Sequence, residues 1–450
     1  MINKKVQLFM PRSNVGCNPG KGAYWSLTLL NLASYLKKNL PETEVSIYDG
    51  DLYSNDNLLL SALKEDTDLV GISCASFNYQ NVLEIAEKAN ENGSEVIIGG
   101  THASYFGKRI LEDKAFINAV VDGKGESAIL HYVQSQDKND VPNLIWRNKN
   151  KEIIVNPKGK EISLDELELD YSLLPLDEYQ KNHRDTYGNL LPDKALSILT
   201  HEGCAKRQKS GPCSFCSIHT KFSFRNIENV WKSVDEAVSD YGFNHVKDWG
   251  DSITGNREFL RKFVGYRPKH LEYLVFSVYN NLSDIDQETI KLLKELNTGM
   301  LFAAVDSGDD TMLKSMNKCV TTQKLKESIN IITENKIPIY SSYVLGSEGE
   351  TIETLENTLR FAEWVYKTAD IQVSNASPLA VLPGSPVFNK LMKIFPNLKN
   401  DDLIDLEFLK RLWVKTFCPT LPNYEILEEY AGKICKLGKR QTRFGWDEKK

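Results

Sequence analysis

Three cysteines, Cys204, Cys213 and Cys216, fall inside the short stretch CAKRQKSGPCSFC, in a chain of 450 residues that has eight cysteines in all. The Cys-x2-Cys spacing lets two sulfurs face one metal site, and Gly211 and Pro212 let the loop turn back. Two chemistries suit the cluster. Three thiolates can hold three irons of a cubane and leave the fourth iron open to a substrate, although clusters more usually take four cysteines. Alternatively, His219 lies three residues after Cys216 and could complete a closed Cys3His zinc site. The first chemistry makes a redox enzyme, the second a metal-stabilised fold. The remaining cysteines, Cys17, Cys74, Cys319, Cys418 and Cys435, are scattered and read as small buried hydrophobes.

The bulk properties set bounds. At roughly 150 residues per domain the length predicts two or three domains. A composition of 41% hydrophobic and 26% charged residues suits real cores under an ordinary polar surface. The formal charge of -6 gives no reason to expect nucleic acid as a partner. The opening MINKKVQLFMPRSN is interrupted by Pro11 and is too short for a signal peptide. No apolar window approaches the roughly eighteen residues of a membrane span. A soluble, cytoplasmic protein is expected. In a reducing compartment the cysteine cluster reads as metal-binding or catalytic rather than as disulfides.

The elements that must position these cysteines follow from periodicity. Over residues 1–145, strand-like runs (KVQLFM, EVSIYDG, LVGISCAS, EVIIGG, AVVDGKGE) alternate with helical runs (SLTLLNLASYLKKNL, NVLEIAEKANENG). This predicts an α/β, Rossmann-like, doubly wound parallel sheet. Ligands in such sheets sit at the carboxyl ends of strands, which here carry Ser73, Gly99, Gly100, His102, Gly123 and Gly125. Residues 146–195 break the pattern, with a hairpin around NKNKE and an acidic run interrupted by Pro175, and read as a linker. From 196 to 390 six further strands alternate with helices, which suits a partial or full parallel β/α barrel. The cysteine loop follows its first strand. Residues 391–450 read as a helical extension ending in a solvated basic tail.

Beyond the cysteines, several segments together resemble the radical S-adenosylmethionine (SAM) enzymes that carry an N-terminal cobalamin-binding domain. The family signature is Cys-x3-Cys-x2-Cys; here the first gap is five residues longer, and the insertion carries Lys206, Arg207 and Lys209. FRNIENVWKSVDEAVSDYG resembles the arginine-led segment with its following helix. WGDS stands at the glycine/acid motif, VDSGDDTMLKSMNK resembles the Glu-Ser-Gly segment with Asp306 in place of Glu, and VLGSEGET and LAVLPGSP resemble two later turns. LVGIS, EVIIGGTHAS and VVDGKGESAIL resemble the cobalamin-domain pattern. The likeness covers roughly residues 1 to 390. No Asp-x-His-x-x-Gly motif is present, so no histidine is placed to ligate cobalt from below; His102 is the nearest exception.

The resemblance implies that Cys204, Cys213 and Cys216 hold a 4Fe-4S cluster whose open iron chelates SAM. It implies contacts to SAM from Phe215, near the adenine, from Gly250 and Asp251 at the methionyl amino group, and from Asp306 and Ser307 at the ribose or methionyl end. It implies cobalamin contacts from Ser73, Gly99, Gly100, His102, Gly123, Gly125 and Glu126. Reductive cleavage would give methionine and a 5′-deoxyadenosyl radical. Methylcobalamin would then methylate an unactivated carbon, with an electron donor such as flavodoxin or ferredoxin. A radical rearrangement, cyclisation or epimerisation without methyl transfer is the nearest alternative. A zinc-stabilised corrinoid- or small-molecule-binding protein is the alternative of another class. The substrate, a small molecule or a peptide, is not named by any motif.

Overall fold

The computed structural model describes residues 4–13, 22–53, 59–135, 137–399, 403 and 405–440. Cys17 and the end of the basic tail lie outside the described residues. The chain divides into two compact units, the first running to Asn182 and the second from His183 onward.

The first unit is built on strands β1 (Lys5–Met10), β2 (Glu44–Asp49), β3 (Leu69–Ser73), β4 (Glu95–Gly99), β5 (Ala119–Val121), β6 (Leu144–Arg147) and β7 (Ile153–Val155). They form one sheet in the order β2-β1-β3-β4-β5-β6-β7. The pairs from β2 through β5 are parallel, and β6 and β7 are antiparallel additions. Strand runs such as LVGIS are apolar throughout because both faces are covered. Val6, Leu8, Ile97 and Val121 pack with Leu29, Ala33 and Leu36 of helix Leu27–Asn39 and with Ile129 and Val133 of helix Glu126–Gln134. Helix Thr101–Asp113 lies over β5 and β6, where a Cβ on Gly107 would stand 2.8 Å from Ile145 and 3.1 Å from Val120.

Two expectations change here. The hairpin read as part of a linker is the antiparallel edge of the first sheet, since Ala119 to Val121 pair with Trp146 to Leu144. The acidic run after Pro175 is helix Leu176–Tyr187, with Asp177 and Glu178 in its first turn. Acidic side chains there complement the helix dipole, which composition alone disguised as a loop.

The second unit carries β8 (Ala195–Ile198), a two-stranded ribbon of β9 (His201–Glu202) and β10 (Ser223–Phe224), and then β11 (His245–Asp248), β12 (Val275–Asn281), β13 (Thr298–Asp306), β14 (Ile339–Leu345) and β15 (Ile371–Pro378). Six of these form an all-parallel sheet in the order β8-β11-β12-β13-β14-β15. That is a partial barrel. Its outer face is sealed by helices: Trp231 and Phe263 stack at 4.7 Å, and Trp231 packs edge-on against Phe276 of β12 at 5.9 Å. The C-terminal helices Leu406–Phe417 and Glu425–Cys435 close on this unit. Trp413 Nε1 donates to Gly346 O at 2.9 Å, and Ala376 N donates to Cys435 Sγ at 3.1 Å.

Candidate active site

The loop bearing the three cysteines is clasped at its base by the antiparallel β9–β10 ribbon. Cys204 caps a short helix, Ala205–Ser210, which occupies most of the enlarged gap before Cys213 and ends at Gly211 with φ +82°. The insertion is therefore ordered, and it is tied back. Lys206 Nζ donates to Gly211 O at 3.0 Å and also reaches Asn317 O. Asn317 Nδ2 donates to Pro212 O at 2.8 Å, and Ser214 N donates to Met316 O at 2.9 Å. On the far side, Val387 N donates to Ser214 O at 2.9 Å. Segments after β13 and after β15 thus hold the loop in place.

Cys204, Cys213 and Cys216 are free and half-buried. Burial pushes the Cys213 and Cys216 thiols up, and the neighbouring cysteine sulfurs push the same way, while Lys318 and Lys206 pull Cys213 down. A crowded set of thiols like this becomes thiolate at neutral pH once a metal centre balances the charge. The donor set therefore fits a cluster. His219, the fourth ligand of the zinc alternative, is turned to other neighbours. Among the described residues no group of three or more His, Cys, Asp or Glu converges on a single ion. His219 is exposed, its Nδ1 faces Arg207 Nη2 at 3.5 Å, and its Nε2 lies over Gly384, where a Cβ would stand 2.3 Å away. A cubane asks each thiolate for its own iron and so does not require one point of convergence.

Asp251, exposed by area, follows β11 and sits beside the loop, with the Gly203 backbone N–H bonded to its carboxyl. Enough protein surrounds it that partial desolvation pushes this carboxyl above the ordinary carboxylate range; His201 opposes the shift and Asp248 and Glu202 add to it. Gly250 serves a neighbour, because a Cβ there would stand 2.1 Å from the His201 ring. His201 is fully buried; its Nδ1 contacts Thr200 Oγ1 at 2.9 Å and its Nε2 accepts from Ser252 N at 3.1 Å. Asp248, also buried, accepts from Thr200 N at 3.1 Å, Thr200 Oγ1 at 2.6 Å and Gly250 N at 3.0 Å. These two residues hold the Gly250–Asp251 turn. Sequence reasoning missed both; the signal available was their position just before Cys204 and just before the WGDS motif.

Asp306 ends β13 at φ +61° and is buried. Its carboxylate pairs with Lys318 Nζ at 2.5 Å. Desolvation works against the Lys318 charge, but Asp306 and then Cys213 and Cys204 outweigh it and hold the ammonium above its usual range. Lys318 thus joins Asp306 to the cysteine loop. It is the last residue of VDSGDDTMLKSMNK, and its type was the available signal. Ser307 is buried in the same turn: its Oγ contacts Thr358 Oγ1 at 2.9 Å and accepts from Asp309 N at 3.1 Å. Phe215 is half-buried on the loop. Cys74, Cys418 and Cys435 are buried as expected, but Cys319 is exposed at φ +53°, because the turn after Asn317 carries it outward.

In the first unit, Ser73, Gly99 and Gly123 put small residues at or just past the carboxyl ends of three adjacent strands, where a Cβ on Gly99 would meet only Val121, at 3.6 Å, leaving room for a flat group. Gly100 takes φ +107°, and a Cβ on it would stand 2.6 Å from Cys74 O, so only glycine fits this turn. Gly125 precedes helix Glu126–Gln134, whose first residue Glu126 is buried. His102 differs from its expected place. It is the second residue of helix Thr101–Asp113 rather than a strand-end loop residue. It lies buried between Tyr79 at 4.5 Å and Phe106 at 4.9 Å, with Nδ1 2.9 Å from Ser76 Oγ. Desolvation lowers its pKa to about 4.

Comparison with known proteins agrees with both units. Residues 198–362 match the Radical SAM superfamily and residues 22–133 match the B12 binding domain. The chain is 24% identical over 375 residues to the uncharacterized methyltransferase PH0819 of Pyrococcus horikoshii, covering 80% of this chain and 76% of that protein. It is 25% identical over 411 residues to the anaerobic magnesium-protoporphyrin IX monomethyl ester cyclase of Rubrivivax gelatinosus, covering 85% and 71%. The fold is that of the radical SAM methyltransferase TsrM from Kitasatospora setae, solved with cobalamin and a [4Fe-4S] cluster: TM-score 0.64, 17% identity, 88% of this chain and 79% of that one. The second unit thus carries a radical SAM domain. More particularly, the chain joins a radical SAM domain to an N-terminal B12-binding domain, a combination whose cofactors are SAM, a 4Fe-4S cluster and cobalamin. Among the described residues no helix is long and apolar enough to cross a membrane.

Proposed function

We propose that this chain is a cobalamin-dependent C-methyltransferase that acts on an unactivated carbon. The observation that supports the reading is one loop with three free, half-buried thiols, set after the first strand of the stretch that matches the Radical SAM superfamily. A cluster bound there supplies the electron that splits the sulfonium bond of SAM, and cobalamin supplies methyl transfer. The chain's own residues do the rest. Cys204, Cys213 and Cys216 each hold one iron. Asp251, with the turn at Gly250, receives the methionyl amino group. Lys318, held by Asp306, offsets negative charge beside the thiolates, and Phe215 borders the adenine. Ser307 fixes the turn after β13. Ser73, Gly99, Gly100, Gly123, Gly125 and Glu126 would border the corrin, while His102 stays packed in its helix.

PH0819 and TsrM are both named as methyltransferases, which supports methyl transfer. The cyclase among the relatives favours the second reading, a radical outcome without methyl transfer. A flavodoxin- or ferredoxin-type donor and a cytoplasmic site complete the proposal. Trideuteromethyl-SAM decides between the readings. Protein reconstituted anaerobically with cluster and hydroxocobalamin is reduced with that reagent, and the extracted corrinoid is weighed by mass spectrometry. Gain of the labelled methyl group supports the methyltransferase; an unlabelled corrinoid beside abundant 5′-deoxyadenosine supports the second reading.

A further inference from the structure

Lys247 is the middle of an in-register row of inward-facing residues. It pairs with Ser197 of β8 on one side and Ser277 of β12 on the other. Its side chain is wholly buried, with Nζ 3.2 Å from the ring centre of Phe302, 3.8 Å from Tyr279 and 5.1 Å from Trp249. Nζ makes no hydrogen bond, and neither does the buried Ser197 Oγ beside it. The adjacent carboxylate, Asp248, is already committed to Thr200 and Gly250.

The rings themselves form a shelf. Tyr279, Phe302 and Tyr340 follow one another across β12, β13 and β14 at 4.7 Å each, and all three are only half-buried. Farther along, Asn375 Oδ1 on β15 is another buried acceptor without a partner. The inner face of the barrel thus offers flat apolar surface and, beneath one end of it, a buried lysine amine with no hydrogen-bond partner.

This arrangement works against stability. A buried ammonium without an anion is costly, and contact with aromatic faces returns only part of that cost. Desolvation accordingly drives the Lys247 pKa well below its usual value. Methionine or leucine would fill the same space without penalty. Lysine at this point is explained by a ligand that brings the missing charge.

We propose that Lys247 anchors the substrate, and that the substrate is an organic acid whose carboxylate meets Lys247 and Ser197 while its planar body lies on the Tyr279–Phe302–Tyr340 shelf. A phosphate monoester, with twice the charge, would want more donors than this end of the barrel holds. The inference rests on reading the barrel interior as the place of the radical reaction. It follows from β11 itself, since the turn leaving that strand carries Gly250 and Asp251, so an acid held at Lys247 lies below the residues assigned to SAM.

The test uses the anaerobically reconstituted chain, titrated calorimetrically with sodium benzoate and with benzamide, which share a ring and differ in charge. Wild type should bind benzoate at least ~tenfold more tightly than benzamide, about 1.4 kcal/mol. Lys247→Arg should keep the preference and Lys247→Met should lose it. Lys247→Met should also melt above the ligand-free wild type, since it removes an unpaired buried amine. Equal binding of the two probes by wild type, a preference that survives in Lys247→Met, or a lower melting point in that variant would each overturn the assignment. The wild-type contrast stands even if no variant folds. The same wild-type preparation is assayed for 5′-deoxyadenosine: production without discrimination sinks this inference alone, whereas no production sinks the functional reading on which it rests.

Discussion

Lys318 Nζ lies 2.5 Å from Asp306 Oδ2, with both side chains almost wholly buried. This pair connects the end of β13 to the loop that carries Cys204, Cys213 and Cys216. The residues just before Lys318 supply the same connection through the backbone, at Met316 O and Asn317 O. Asp306 also holds a left-handed backbone, uncommon outside glycine. The ion pair therefore ties a residue of left-handed backbone to the cysteine loop.

Removing one partner leaves the other charge buried and unpaired. Lys318→Met should destabilise the protein by about 3–5 kcal/mol. The double variant Lys318→Met/Asp306→Asn should regain most of that stability yet form less 5′-deoxyadenosine than wild type. Denaturant unfolding paired with the product assay checks this. Full activity in the double variant would show that the pair is only structural.

Cys204→Ala, Cys213→Ala and Cys216→Ala should each abolish the iron–sulfur absorption and the cleavage of SAM. Cys319→Ser, at an exposed position, should leave both near wild type. Iron analysis with ultraviolet–visible spectra separates the two groups. A functional Cys204→Ala variant would reassign the loop.

Gly250→Ala drives a methyl group into His201, from which a Cβ would stand only 2.1 Å away. Overpacking of this kind costs about 1–3 kcal/mol. Because His201 holds Ser252 N, the turn at Asp251 should shift, and the KM for SAM should rise more than kcat falls. An unchanged KM would disconnect this turn from the cofactor.

This turn shows what the sequence could and could not reveal. The six barrel strands and the position of the cysteine loop were legible because apolar runs and helix periodicity repeat regularly. Gly250 and Asp251 were legible as a motif, but their support from His201 and Asp248 was not, since those contacts join residues that lie up to 51 positions apart. The helix within the Cys204–Cys213 gap was hidden by its length, six residues of which three are basic. The helix beginning at Thr101 was masked by its glycine start, and with it the burial of His102. Lys247 looked like an ordinary charged residue because a strand of four residues buried on both faces gives no alternation to betray it.

Glu350 supplies a pH test. It is buried in the turn after β14, accepting from Gly346 N at 2.9 Å and bonded by Thr354 Oγ1. Desolvation raises its pKa from 4.5 to about 7. Below about 4.5 the carboxyl is protonated in both the folded and unfolded chain, so its contribution to stability is fully present. As pH rises through about 7 the unfolded chain has already ionised and the folded one must follow, so that contribution is lost. The loss amounts to about 3 kcal/mol at most. Glu350→Gln should flatten stability between pH 4.5 and 7, as read by urea unfolding at intervals across that range. A variant with the wild-type slope would assign the dependence to another group.

The central claim is that three cysteine sulfurs of one loop bind a cluster and leave one iron for SAM. The most direct measurement is iron, sulfide and zinc content of chain purified and reconstituted without oxygen, followed by assay with SAM and dithionite. The account predicts a brown protein with about four irons per chain that releases 5′-deoxyadenosine and methionine in equal amounts. A colourless protein holding one zinc, with no 5′-deoxyadenosine formed, would contradict it.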